Sequence, residues 1–508
     1  MGSALSTFLE LYDDAKTTLK WKDVLKLMGL VTTSWYIYKI MLRPFVSPLR
    51  KVPGPPFRPI VGNMFDALKQ EAMTNTINWM KLYKSRFIRF YFLFGQERLL
   101  VADPDIIKYI NVTNSKNYVR QTTLNLLDGM ANDFVLNLNG SAHHALRKLL
   151  NPAFKLKVVE DFVPTYVELS EKLVSLWNQK IMKLGEPTVV EAQTCLAGLT
   201  LDIICKCGFG YDMKAIEKPQ EAGVYAFKRM LFGSRIRLTN MIPFFSYLPS
   251  KEKTQFKEDA QLFKSTIMKV ITQQKQLFKD NPQYTNLNGN KNLLATLLLA
   301  HDEKDEGITD EVIFANIAGF MFAGFETTSH ALTWTLLNLA QHLDCQEKAR
   351  KEVLGQTPKG QTVTVKKLDQ MPYVTCCIKE SLRLYPPVTV FWRTPVHDDQ
   401  INGYFIPKGT PVGISVGALH RLPENWDDPD SFKPERFLEQ INPYKFIPFA
   451  TGPYMCIGNK FSMMESRAIL AVLLQNFKFE MVPDYTFRRE ATPIMHPSPP
   501  LILRATRV

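Results

Sequence analysis

The chain has 508 residues, 45% hydrophobic and 22% charged, which are ordinary globular values and exclude a disordered, collagen-like or multi-spanning membrane protein. At about 150 residues per domain the length admits roughly three domains or one large one. Lys+Arg 62 against Asp+Glu 49 leaves a formal charge of +13, which suits an acidic partner, a membrane surface or nucleic acid without choosing among them.

The first apolar stretch runs from Val24 to Leu42, and Lys26 and Lys39 confine its uncharged core to Leu27–Tyr38. A bilayer span takes about 20 residues. The two lysines lie near the ends and can snorkel, while Trp35, Tyr36 and Tyr38 suit an interface. Arg43, Arg50 and Lys51 follow, which places the downstream side in the cytoplasm. The stretch reads as a membrane anchor, with a tilted span and an interfacial helix both open. An amphipathic helix packed on the body is the bland alternative. A cleaved signal peptide fits the start worse, because Glu10, Asp13 and Asp14 are acidic. Residues 1–50 are thus expected to be anchor and linker, and 51–508 one domain. Val52-Pro53-Gly54-Pro55-Pro56 predicts a stiff hinge between them.

Phe87–Phe94 and Glu97–Val101 predict a β-hairpin around Gly95-Gln96. The pattern is then mostly helical to about residue 385. A second β-rich stretch covers Tyr404–Leu419, with a turn at Pro407-Lys408-Gly409, and the Asn-rich segment Lys279–Lys291 reads as an exposed loop. With no internal repeat, one helix-dominated domain with small sheets, an α+β architecture, fits better than three domains.

Thr309 can cap a helix whose first turn holds Asp310 and Glu311. From Val312 to Leu343 its only formally charged residue is Glu326, so the helix belongs in a large core or in lipid. The polar run Glu326-Thr327-Thr328-Ser329-His330 argues against lipid. Gly319 and Gly324 each cost such a helix about 1 kcal/mol, which is understandable where something approaches its backbone closely. Glu326 is either a core carboxylate with a structural partner or, beside the Thr327 hydroxyl, a group that relays protons.

Glu380 and Arg383 share one face of a helix that ends at Tyr385-Pro386-Pro387. Glu-x-x-Arg is usually a surface pair, but Ile378, Leu382 and Leu384 make a buried pair plausible. Arg436, in Pro434-Glu435-Arg436-Phe437, can supply a second arginine.

The seven cysteines are odd in number, sparse and lack a C-x-x-C, which argues against a disulfide scaffold or zinc ribbon and for a reducing compartment. Cys456 lies in Phe449-Ala450-Thr451-Gly452-Pro453-Tyr454-Met455-Cys456-Ile457-Gly458, just before a predicted helix starting at Asn459. Gly452 and Gly458 permit a tight loop. A helix N-terminus lowers a thiol pKa, and a thiolate in an apolar setting is a good axial ligand for haem iron. The bland alternative is a buried structural cysteine.

Taken together these pieces resemble the cytochrome P-450 family, the haem-thiolate monooxygenases, in its eukaryotic membrane-anchored form. The motifs in order are the proline hinge, Ala323-Gly324-Phe325-Glu326-Thr327-Thr328, Glu380-x-x-Arg383, Pro434-Glu435-Arg436-Phe437, and Phe449-x-x-Gly452 to Cys456-x-Gly458. The resemblance implies a single, mainly α fold with small β-sheets, a triangular helical prism enclosing haem b (iron protoporphyrin IX). It implies that Cys456 is the proximal iron ligand and that Phe449 packs near its sulfur. A kink near Ala323-Gly324 would make room for oxygen, and Glu326 and Thr327 would deliver the protons that cleave the O–O bond. Glu380, Arg383 and Arg436 would form a buried structural triad. Arg147 and Arg393 would bind the haem propionates. The sequence departs from the family at Tyr454, where arginine is usual, and at His143, where tryptophan is usual. Both usual residues bind propionates.

Candidate substrate contacts are Ala318 and Phe322 on the long helix, Val388 and Phe391 after the ion-pair helix, and Ile494 near the C-terminus. All are apolar, so a lipophilic substrate is expected, with sterol, fatty acid, terpenoid and xenobiotic open. No P-loop or G-x-G-x-x-G marks a fused flavin domain. The resemblance therefore implies O2 with electrons from an NADPH-cytochrome reductase, and cytochrome b5 as a second donor. The acidic donor would dock on Lys148, Lys155, Lys157 and Lys460 of a monomer in the endoplasmic reticulum membrane, its catalytic domain facing the cytoplasm. The rival readings are an isomerase or dehydratase of this fold that needs no external oxidant, and a catalytically silent haem- or lipid-binding relative. Nucleic-acid binding is not expected, because the basic residues are spread without an aromatic-interleaved module.

Overall fold

The computed structural model describes residues 21–38, 42–121, 132–219, 251–280, 292–302, 307–491 and 493–508. Among them the helices of eleven or more residues are α1 (Trp21–Ile37), α2 (Gly140–Leu150), α3 (Val163–Leu184), α4 (Ala192–Phe209), α5 (Lys251–Asp280), α6 (Asp310–Gln341), α7 (Leu343–Gln356), α8 (Pro372–Leu384) and α9 (Asn459–Asn476). The strands are β1 (Phe87–Tyr91), β2 (Glu97–Val101), β3 (Tyr118–Arg120), β4 (Thr188–Val190), β5 (Val390–Pro395), β6 (Asp399–Ile401), β7 (Tyr404–Ile406), β8 (Val412–Ser415), β9 (Phe477–Met481), β10 (Arg488–Ala491), β11 (Met495–Ser498) and β12 (Leu503–Arg507). The architecture is helical with small separate sheets, as the sequence predicts.

Along α1 the side chains of Leu25, Leu27, Met28, Leu30, Val31 and Trp35 are all exposed, on every face of the helix. Among the described residues these side chains form no buried stripe, which speaks against an amphipathic helix packed on the body. The start of the proline segment, predicted as a stiff hinge, is packed on the body. Leu49 and Val52 are buried in the core beneath the main sheet, and the Arg89 amide on β1 donates to the Pro53 carbonyl at 2.8 Å.

The main sheet has the order β1-β2-β8-β5-β3, and the predicted hairpin is its edge, with Phe87 opposite Val101. The predicted turn at Pro407-Lys408-Gly409 does not join two paired strands. Instead β7 pairs back onto β6, and β8 runs parallel to β2 in the main sheet. Asn402 and Gly403 both have positive φ (49° and 79°), the two-residue turn that matches strand twist. That Asn-Gly signal outweighs the proline turn five residues later. Within the predicted loop Lys279–Lys291, Lys279 and Asp280 end α5, and residues 281–291 lie outside the described residues.

The core is built on α6. Thr309 caps it, its hydroxyl accepting from the Val312 amide at 3.3 Å. Among the described residues α6 is the one helix long and apolar enough to cross a membrane, and it is mostly buried within the protein. Its glycines are approached by protein. A Cβ on Gly319 would collide with the Phe134 ring, and one on Gly324 would meet Ile204 of α4 at 2.8 Å. The close α4–α6 approach is closed by Thr200, whose hydroxyl donates to the Phe325 carbonyl at 2.9 Å.

A buried acid, Glu465, sits between α3, α4 and α9. Glu465 is 1% exposed, and neither carboxyl oxygen nor the Tyr166 hydroxyl beside it has a hydrogen-bond partner among the described residues. Burial pushes the Glu465 carboxyl well above the usual range. The folded state thus keeps a proton that the unfolded state releases above about pH 4.3. Stability falls by about 1.4 kcal/mol per pH unit from there until the folded pKa is reached. Glu465→Gln should abolish this decline and be increasingly stabilised relative to the parent as pH rises. Urea midpoints at pH 5, 6.5 and 8 check it, and a constant difference across the three would count against a neutral Glu465.

Candidate active site

The cysteine loop sits between the end of the 3-10 turn Gly452–Tyr454 and the start of α9. The Cys456 amide donates to the Phe449 carbonyl at 2.8 Å, which closes the loop and brings Phe449 back beside the cysteine. Gly452 has φ 74°, and a Cβ there would collide with the Asn111 carbonyl, so only glycine fits. Gly458 is different. Its φ is −85°, and a Cβ would meet only Phe154 at 4.0 Å, so neither backbone nor protein packing calls for glycine.

Cys456 is accessible, but the surrounding chain encloses the space it faces. Burial raises its thiol pKa, against the lowering effects of the Gly458 amide, Arg147 and Arg120. The expected net lowering by the helix N-terminus is therefore corrected. The amide and the two guanidiniums act in that direction, but desolvation of an anion in this apolar setting outweighs them. Cys205, Cys207, Cys345, Cys376 and Cys377 are unbridged and buried.

Three groups converge on Tyr454. The Arg120 and Arg393 guanidiniums lie over its ring at 4.6 Å and 5.1 Å, and the His143 ring is 4.8 Å away. Arg120 and Arg393 are cross-strand partners in β3 and β5, and Arg147 on α2 donates to the Met455 carbonyl at 2.7 Å. No carboxylate acts on any of the three arginines among the described residues. Burial lowers Arg393 to about 9 and Arg120 to about 10, and lowers Arg147 as well. Burial, with Arg120 and Arg147 adding to it, lowers His143 to about 4, so its ring is neutral. Arg120 is absent from the sequence-derived set. Its three-residue strand is too short to show a period, so nothing in the sequence marks it.

On α6 almost every side chain from Ala315 to Ala340 is buried, but Ala323, Gly324 and Thr327 are partly accessible. Their i, i+1, i+4 spacing makes one face. The helix is continuous through Ala323-Gly324. The Thr327 hydroxyl donates back to the Ala323 carbonyl at 2.8 Å, the bonding that bends helices without breaking them. Glu326 is 3% exposed, its Oε2 has no partner among the described residues, and burial raises it to about 7. Thr328 and Ser462 hydroxyls meet at 3.0 Å, which ties this turn to the start of α9 and so to the cysteine loop.

The three residues of the expected triad are together. Arg383 donates to both Glu380 oxygens at 2.7 Å, and Arg436 reaches Oε1 at 3.3 Å. Arg383 also donates to the carbonyls of His420, Pro429 and Ser431. Ala318, Phe322 and Ile494 are buried, while Val388 and Phe391 are half-buried, Phe391 with Arg393 at 4.8 Å over its ring. Lys148, Lys155, Lys157 and Lys460 are exposed.

The sequence pattern of the cytochrome P450 family matches residues 52–504. "Cytochrome P450 4d1" of Drosophila melanogaster is 29% identical over 468 residues, covering 88% of this chain and 91% of the relative. "Cytochrome P450 4c21" of Blattella germanica is 30% identical over 452 residues, with 85% and 88% covered. "Cytochrome P450 4A6" of Oryctolagus cuniculus is 29% identical over 471 residues, with 91% and 90% covered. With the cysteine loop, the triad and the polar turn of α6 in place, the chain belongs to the cytochrome P450 family and is a haem-dependent monooxygenase.

Proposed function

We propose that the protein inserts one oxygen atom from O2 into a lipophilic small molecule on haem b. The observation that carries the cofactor reading is the set of three guanidiniums at Tyr454 and Met455, Arg120 and Arg393 on the first and Arg147 on the second, on which no carboxylate acts among the described residues. Three buried or half-buried cations in one place suit an anionic ligand, and the two propionates of iron protoporphyrin IX match them. Gly458 supports the same fit, because its missing Cβ leaves room that protein does not fill. Arg120, Arg147 and Arg393 would hold the propionates, with the neutral His143 ring and the Tyr454 hydroxyl as additional donors and Cys456 as the iron ligand. Phe449 and Gly452 would shape the loop around the sulfur. When bound, haem supplies the redox-active iron at which O2 is split.

The chain's own residues manage protons and water. Glu326 sits in a dry setting with its pKa near 7, so it can both hold and release a proton at neutral pH. Thr327 faces the accessible side of α6 and passes that proton on through its hydroxyl. Ala318, Phe322, Val388, Phe391 and Ile494 would exclude water from an apolar substrate. The electrons would come from an NADPH-dependent reductase whose acidic face docks on Lys148, Lys155, Lys157 and Lys460, an encounter that low ionic strength speeds. The exposed apolar α1 supports attachment to the endoplasmic reticulum membrane with the body in the cytoplasm.

Thr327→Ala should keep NADPH consumption within about twofold while product per NADPH falls about tenfold or more and peroxide rises to match. An unchanged ratio of product to peroxide would remove Thr327 from proton delivery.

A further inference from the structure

One turn beyond Glu326, α6 carries His330, which is 2% exposed. Gln193 of α4 fixes its tautomer. The Gln193 side-chain oxygen accepts from the Leu501 amide at 3.0 Å, so its NH2 group is the part that faces His330 Nε2, at 3.5 Å. Nε2 is then the acceptor, and the ring proton sits on Nδ1. The Glu326 backbone carbonyl interacts with the ring, but Nδ1 has no partner in hydrogen-bond geometry among the described residues. The orphan donor of His330 and the orphan Oε2 of Glu326 are therefore four residues apart on one helix face. A donor and an acceptor buried in this relation are the setting in which an ordered water is held.

Beyond His330 the polar chain continues to the surface. The His496 ring on β11 lies 5.4 Å from the His330 ring. His496 Nδ1 donates to the Ile494 carbonyl at 2.8 Å, which turns Nε2 the other way, to 4.0 Å from Glu490 Oε2. Glu490 and His496 are cross-strand partners in β10 and β11, and the Glu490 side chain is 42% exposed. Around this line the hydroxyls of Ser329 and Thr333 are turned back onto carbonyls of α6 itself, and Trp334 is anchored to the Met495 carbonyl at 3.1 Å.

We propose that Glu490, His496 and His330 form the route by which protons from solvent reach Glu326. The proposal rests on Glu326 being the proton donor of the proposed function. Glu490 collects a proton at the surface and passes it to His496 Nε2. His496 hands its Nδ1 proton inward through water, releasing the Ile494 carbonyl, to His330 Nε2, which releases its 3.5 Å contact with Gln193, as the Nδ1 proton of His330 leaves for the Glu326 carboxylate, and both rings return to the resting tautomer before the next transfer. Each group takes one proton and gives one, so the net change is one proton moved from solvent to Glu326. Burial keeps His330 neutral at rest, so gain and loss on its ring are concerted. His330 and His496 are positioning residues, since neither touches the reacting atoms.

The test uses the full-length holoenzyme and does not depend on turnover. The carboxylic C=O stretch of Glu326, assigned by its loss in Glu326→Gln, shifts when the enzyme is diluted into D2O, and stopped-flow infrared follows the exchange. Glu490→Gln, His496→Gln and His330→Gln keep size and hydrogen bonding but cannot carry a proton. Each should slow the exchange by about tenfold or more, with the haem absorption spectrum unchanged. Exchange as fast as in the parent in both histidine variants would overturn the route. If the protein failed as a haem-thiolate enzyme, the spectrum would report it, while the exchange rate would still decide the route.

Discussion

Glu380→Ala should lower the unfolding free energy by about 3–5 kcal/mol. Arg383 is fully buried and is held by both oxygens of Glu380 and by three backbone carbonyls. Removing the carboxylate leaves that charge without its counterion in a dry core. Lys433 loses its amide acceptor, Glu380 Oε1, as well. Because the same oxygens tie α8 to Arg436 and the Pro434–Leu438 turn, the damage spreads to the segment leading into the cysteine loop. Replacing Glu380 and Arg383 together by apolar residues of similar volume should not recover the loss, because the carbonyls of His420, Pro429 and Ser431 then lose their donor. Urea unfolding of the two variants and the parent checks both statements. A loss below about 1 kcal/mol for Glu380→Ala would place the pair in the range of exposed ion pairs.

Arg120→Ala combined with Arg393→Ala should weaken haem retention by about 10²- to 10⁴-fold. Each guanidinium stands to lose a charge-assisted hydrogen bond worth about 1.5–3 kcal/mol, and about 1.4 kcal/mol is tenfold in affinity. The two also flank Tyr454, so their loss frees the ring that shapes the loop. The rate at which haem passes to an excess of a haem-scavenging protein measures this. A rate unchanged from the parent would show that the arginines hold something else. The prediction gives Arg120 equal weight with Arg393, although the two look unalike in the sequence.

That difference shows what the sequence carries. The long apolar helix, its threonine cap, the Glu380–Arg383 spacing and the glycine-rich cysteine loop are all local patterns, and each is found in the structure where its local chemistry predicts. Arg120 is part of the site only because β3 pairs with β5, a contact across more than 270 positions that no local period announces. The β6–β7 hairpin was readable from Asn402-Gly403, yet the proline turn nearby is the louder signal. The Cys456 thiol defies the helix-terminus argument because its enclosure is a property of the whole fold. His330, last of the polar run on α6, becomes interpretable only when β11 brings His496 against it.

The central claim is that Cys456 is the thiolate ligand of a haem. Its most direct test is the absorption difference spectrum of the reduced protein with carbon monoxide, expressed with haem supplied. The parent should give the red-shifted band of a thiolate-bound haem, and folded Cys456→Ser should lose it. Absence of the band from the parent, or its survival in Cys456→Ser, would contradict the assignment.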